Sequence, residues 1–318
     1  MEIFESILLN SILPIFLLIS LGFVMGKKFR LDANTLTKIN LYLFVPAFLF
    51  VNVFTTEISA DLLRVALLTL ALLAVNFALG KGFARFLRLP ARTGKAFENA
   101  LMFYNSGNIG ISLVALVFSN APFVVNGATP YLNIALSVQI MTLLIQNLTT
   151  NTIGLVNSGG EGVTFIKSLA HALKLPTLYV ILCAVLFRFL PFDFAATPFW
   201  PALNYLRGGL VSVALITLGA QLAETRLDIR MRAPYFAAFL RLIGGPAAAL
   251  LLIKLFGFAG VMAQAILISA STPVAVNTAL LALECGGDVD FSVQTVTLST
   301  LFSAVTMTAV VYLAYILF

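Results

Sequence analysis

The residues of this chain best suited to chemistry are amides, hydroxyls and helix breakers inside two apolar stretches. Lys95 to Phe118 holds Asn105, Ser106, Gly107, Asn108, Gly110 and Ser112; Gly260 to Leu283 holds Ser271, Thr272, Pro273 and Asn277. Moving the first stretch forward by 165 residues lays it on the second without a gap, with Asn105–Asn108 on Ala270–Pro273 and Ser112 on Asn277. Pro273 lacks an N–H and clashes with the preceding turn. Gly107 and Gly110 each lower helix propensity by about 1 kcal/mol relative to Ala. Both stretches are therefore expected to unwind at their centres. Each break exposes a half-helix N-terminus, whose free N–H groups and partial positive charge suit an anion. Amides and hydroxyls beside these ends would bind a carboxylate without a fixed cation.

Three further residues belong with these. Asn52 and Gln139 lie at depths where a mid-span amide needs partners, and both are read as contributors to a binding cavity. Arg241 stands about eight residues into an apolar run, where a charge requires a partner, a water-filled cavity or escape to the interface; it is a candidate for a structural or coupling role, as Gly107 is for shaping the first break. Gln146 and Asn147, nearer one end of their run, are expected to cap or hydrate it. The chain has one histidine, no pair of carboxylates within an apolar run and no Gly-rich phosphate loop ending in Lys-Ser/Thr. That argues against an intramembrane enzyme and a nucleotide-driven pump. Cys183 and Cys285 lack metal-ligand or disulfide spacing, so neither a metal nor a cofactor is expected.

These residues must be positioned by elements that live in lipid. Of 318 residues 60% are hydrophobic and 10% charged, and the mean hydropathy is +1.03; a soluble domain carries about 25% charged residues. At roughly 20 residues per span, the apolar runs divide into ten helices: 6–26, 36–56, 63–86, 96–118, 129–152, 168–190, 203–223, 234–256, 260–283 and 291–317. The fold class read from this is an all-α polytopic membrane protein, embedded in the lipid bilayer of the cell (inner) membrane. The net charge of +6 resides in short loops, with no basic patch interleaved with aromatic platforms, so nucleic acid is excluded as a partner.

Fourteen of the 19 lysines and arginines fall in loops after odd-numbered spans, among them Lys27, Lys28, Arg85, Arg92 and Arg230. The positive-inside rule puts those loops in the cytoplasm and both termini outside. The acidic loop with Glu284, Asp288 and Asp290 runs against this, but acidic residues weigh little in the rule. The polar segment 157–162 divides the chain into halves, 1–156 and 163–318, of five helices each. An odd number per half makes the second an inverted copy of the first. Leu13-Pro14 in the first span and Leu175-Pro176 in the sixth repeat the cue. Inverted repeats place a binding site near the bilayer midplane, where interrupted helices meet.

The motifs Asn105-Ser106-Gly107-Asn108-Ile109-Gly110-Ile111 and Ser271-Thr272-Pro273-Val274-Ala275-Val276-Asn277 resemble those of the auxin efflux carrier family, in its bacterial branch. Leu43–Phe50, Lys174–Pro176 and Leu215–Leu222 extend the resemblance over the chain. It implies a fold similar to the bile-acid symporters, with spans 1, 2, 6 and 7 as a scaffold, through which two copies could pair as a homodimer. Spans 3–5 and 8–10 would form a transport domain, with the broken fourth and ninth spans crossing. It further implies elevator-type movement of a small organic anion, an auxin-like compound or a dicarboxylate. Ser112 departs from the family's pattern, which often has proline there. Two alternatives remain: a sodium-coupled symporter of the bile-acid type, and a channel or receptor.

Overall fold

The structure is a computed structural model that describes residues 2–56, 59–159, 164–191, 193–225 and 227–318. Residues 160–162 of the expected linker, and residue 163, lie outside the described part. The regular structure is helical, with no strand beyond isolated two-residue bridges among the described residues. Seven helices are long and apolar enough to cross a membrane: α1 (Glu2–Phe29), α2 (Ala33–Thr55), α3 (Asp61–Phe86), α6 (Leu132–Ser158), α9 (Phe199–Glu224), α10 (Arg232–Leu255) and α13 (Val289–Leu317). At the other three places where the sequence predicts a span, the chain is helical but interrupted. These are α4 (Ala91–Met102) with α5 (Ser106–Phe118), α7 (Phe165–Ala172) with α8 (Pro176–Phe187), and α11 (Gly260–Ala270) with α12 (Asn277–Glu284).

The interruption between α7 and α8 corrects the reading of 168–190 as one span. Its cause is local. Pro176 disfavours the helical region for the residue before it, and Leu175 is accordingly extended, at φ −65° and ψ 129°. Prolines also shape the continuous helices. In α1, α2 and α10 a wide i→i+5 turn at 8–12, 40–44 and 240–244 precedes Pro14, Pro46 and Pro246. A proline leaves the carbonyl four residues earlier without its helical donor. For Pro14 that carbonyl is Asn10's, and the Asn120 side chain supplies the donor at 3.2 Å.

The helices pack in two groups. In one, α9 lies along α1 and α2, and α8 packs on α2. The first contact is backbone-close because glycine removes the side chain: a Cβ on Gly22 would stand 2.2 Å from the Ile216 carbonyl oxygen, and one on Gly219 would stand 2.0 Å from that of Ile19. In the other group α3, α4, α5 and α6 pack together with α10, α11, α12 and α13. Outward faces carry exposed apolar side chains such as Leu17 and Leu21 on α1, Leu63 and Leu67 on α3, and Leu251 and Leu255 on α10. In water such a surface would drive aggregation; in a bilayer it faces lipid tails. The chain is a polytopic membrane protein.

Candidate functional site

Backbone accounting at the two breaks explains how unwound chain persists inside an apolar protein. Every buried N–H and C=O needs a partner where no bulk water reaches. After α4 the chain is extended at Phe103 and turns tightly at Asn105, which caps α5 by accepting at its side-chain oxygen from the N–H of Asn108 (3.1 Å) and of Ile109 (3.3 Å). The Gly110 N–H reaches back to the Asn105 carbonyl at 2.8 Å. After α11, the hydroxyls of Ser271 and Thr272 donate to the carbonyls of Ile268 (2.6 Å) and Ser269 (2.9 Å), so both are spent on their own helix end. The breaks then bond to each other. Asn105 N–H donates to the Pro273 carbonyl at 2.8 Å, and Ala275 N–H to the Phe103 carbonyl at 3.0 Å, with Tyr104 and Val274 as the bridge between. The Val274 N–H turns the other way, to Ser299 Oγ on α13 at 3.1 Å.

The two breaks meet through one antiparallel bridge, Tyr104 with Val274.

A cavity of about 360 Å³ lies where α5 and α12 begin, walled by Asn40, Tyr104, Asn105, Asn108, Gln146 and Asn277 among others, with Gly107 on its floor. It shares Thr37, Gln221, Val276 and Leu280 with a neighbouring cavity of about 470 Å³ that extends past Glu224 and Asp290. The walls are rich in amides with unused bonding capacity. Asn105 Nδ2 is buried without a partner. Asn40 donates to Asn108 Oδ1 at 3.1 Å while its own oxygen is unpartnered, and Gln221 donates to Thr37 Oγ1 at 3.0 Å with its oxygen likewise free. A buried amide group without a partner costs about 1–3 kcal/mol. No lysine or arginine lines this cavity among the described residues; Glu284 is its one charged side chain.

Of the residues read as site candidates in the sequence, Asn105, Gly107, Asn108 and Asn277 reach the cavity wall, together with Ser106. Gly110, Ser112, Ser271, Thr272, Pro273, Gln139, Asn52 and Arg241 do not. Ser112 is buried and donates to the Asn108 carbonyl at 2.6 Å. Ser271, Thr272 and Pro273 build the second break behind the wall. Gln139 is buried and donates to the Ser106 carbonyl at 2.6 Å, tying α6 to the first break. Gly110 makes room for it, since a Cβ there would stand 2.5 Å from Gln139 Nε2. Asn52 lies elsewhere, on a separate apolar cavity of about 70 Å³, bonded to the Phe48 carbonyl and to Arg207 Nη2. Arg241 is buried behind Tyr104, bonded to the carbonyls of Leu101 and Ala270. Gln146 and Asn147, read as capping residues, line the cavity instead, the Gln146 amide beside the Tyr104 hydroxyl. Asn40, Thr37 and Gln221 went unmarked; the signal available for each was a polar side chain in or beside an apolar run.

The sequence profile described as membrane transport protein matches residues 7–311. The chain belongs to this family. The resemblance to auxin efflux carriers read from the two motifs is thereby borne out, and the chain is a membrane transporter. This membrane transport protein is also 26% identical over 310 residues to an uncharacterized transporter of Methanothermobacter thermautotrophicus, covering 94% of this chain and 95% of that one.

Proposed function

We propose that this protein is a secondary transporter of small organic anions, carboxylates in particular, holding its substrate in the cavity at the meeting of α5 and α12. The observation that carries the reading is the backbone pairing of the two breaks. It brings two half-helix N-termini to one amide-lined cavity, where the Asn105 amide is an unused buried donor. Amide donors can hold a carboxylate without a fixed cation; the N–H groups of Ser106, Asn108, Ile109 and Gly110 at the start of α5, expected to be free, are already taken by Tyr104 and Asn105. Donors for the carboxylate would be Asn105, Asn108 and Asn277, with Gln146 beside them.

The ten helical positions are taken as two inverted sets of five, 1–156 and 163–318. In this reading α1, α2, α7, α8 and α9 form the scaffold. The remaining helices carry the substrate across by sliding against it, in an inner membrane with both termini outside. The hydrogen bond between Asn40 on α2 and Asn108 on α5 would then join scaffold to moving domain in this state and break in the other. Thermal melting of the purified protein against a panel of mono- and dicarboxylates tests the reading. Stabilisation that grows with the concentration of one or more of them is expected, and a flat response to every acid at millimolar concentration would contradict it.

A further inference from the structure

Helices α2 and α9 are joined by two polar pairs, one at the cavity and one well away from it. At the cavity, Gln221 of α9 donates to Thr37 of α2, with Asn40 one turn further along. Away from it, Arg207 Nη2 of α9 donates to Asn52 Oδ1 of α2 at 3.3 Å. The spacings keep the two pairs on matching faces. Arg207 precedes Gln221 by 14 residues, nearly four helical turns. Asn52 follows Asn40 by 12, of which the wide turn at 40–44 absorbs about one, leaving about three turns. Along both helices the step is about 20 Å, at roughly 1.5 Å per residue. The neighbours agree with this. In the large cavity Asn40 faces Leu143 and Gln146 of α6; in the small apolar cavity Asn52 faces Ser137, Ile140 and Met141 of the same helix. One seam between α2 and α6 therefore has a polar chamber at one end and Asn52 at the other.

Arg207 is part-buried and lies eight residues into α9, about 12 Å from its start. A guanidinium at that depth calls for a partner or a cavity. Among the described residues its one hydrogen bond goes to Asn52. The Asn52 nitrogen is occupied by the Phe48 carbonyl at 2.7 Å, which turns the amide oxygen toward the guanidinium. No carboxylate pairs with Arg207 among the described residues, where the ion pair found is Arg64 with Asp61. A guanidinium carries five N–H donors in a fork that fits a carboxylate. Asn52 uses one of them and leaves the fork open. The large cavity has no such group, since no lysine or arginine lines it among the described residues. The two ends of the seam thus offer an anion different things: neutral amides at one, a fixed positive charge at the other.

We infer that Arg207, oriented by Asn52, is a second anion site, fixed on the scaffold at the outer end of the path that the carboxylate travels. The inference rests on the proposed anion transport and adds a residue to it outside the cavity. The test uses right-side-out membrane vesicles and a background lacking Cys183 and Cys285, with the radiolabelled carboxylate that this background takes up fastest. Arg207→Cys should lower that uptake by about tenfold, the loss of one charge-assisted contact. Aminoethyl methanethiosulfonate added outside puts a positive charge back on the cysteine and should restore uptake to within about threefold of the background, whereas the anionic sulfonatoethyl reagent should not. The same carboxylate, unlabelled and in excess outside, should slow the modification at least about threefold. Asn52→Asp leaves Arg207 in place but sets a carboxylate against it, and should reproduce the loss with melting unchanged. Undiminished uptake by Arg207→Cys or by Asn52→Asp, equal recovery with the two reagents, or modification that the carboxylate does not slow would each overturn the inference while leaving anion transport in place. If the background protein moves no carboxylate at all, the proposed function fails and this inference falls with it.

Discussion

At the scale of the residue, the site depends on side chains that occupy backbone groups rather than touch a ligand. Gln139 donates to the Ser106 carbonyl only because Gly110 has no Cβ. Gly110→Ala is therefore expected to push the amide away and strand a buried carbonyl, at a cost of about 1–3 kcal/mol, visible as a lower melting temperature. Gln139→Ala removes the same bond. The double variant should cost clearly less than the sum of the two, because both changes break one interaction; additive losses would mean that the glycine and the amide act independently. Asn105 shows the same economy. Its oxygen caps α5, while its nitrogen is buried without a partner.

At the scale of the element, the two broken helices are stabilised by each other and by α13. Ser299 is the acceptor for the Val274 N–H. Ser299→Ala leaves that donor unpaired among apolar neighbours and is expected to destabilise the protein by about 1–3 kcal/mol, whereas Ser299→Thr, which keeps the hydroxyl, should melt near the wild type. An alanine variant as stable as the wild type would show that the second break does not depend on α13. The breaks themselves were legible in the sequence, since Gly107, Gly110 and Pro273 are poor helix residues inside apolar runs. The use of Ser271 and Thr272 was not, because each reads alike whether it bonds back to its own helix end or faces a cavity. The polar wall was half legible. Asn108 and Asn277 sit in the breaks that point to the site, but Asn40 and Gln221 come to it through the packing of α2 and α9, which no local pattern announces.

At the scale of the whole molecule, apolar composition and run lengths suffice for a polytopic helical protein, and seven of its helices are continuous over membrane-crossing lengths. The remaining three apolar runs fall below that length because each is cut by a break. The positive-inside count yields a prediction about orientation that the helices alone do not contain. In a background lacking Cys183 and Cys285, a cysteine introduced beside Arg30 should resist a membrane-impermeant maleimide in intact cells, while one added at the C-terminus should react. The opposite pattern would turn the molecule over. In the predicted orientation the cavity, reached past Thr37 near the start of α2, opens toward the side that carries Lys27, Lys28 and Arg30. On that topology the open side is the cytoplasmic one. The central claim is that a carboxylate is held where the two broken helices meet, and uptake of a radiolabelled carboxylate into proteoliposomes by the wild type and by Asn277→Ala tests it most directly. Asn277 is exposed at the cavity end of α12 and makes no internal bond that its loss would break among the described residues. The expected result is wild-type uptake above empty vesicles and a loss of about tenfold in Asn277→Ala, the worth of one hydrogen bond to a charged group, with melting unchanged. Equal uptake by the two proteins would contradict the account.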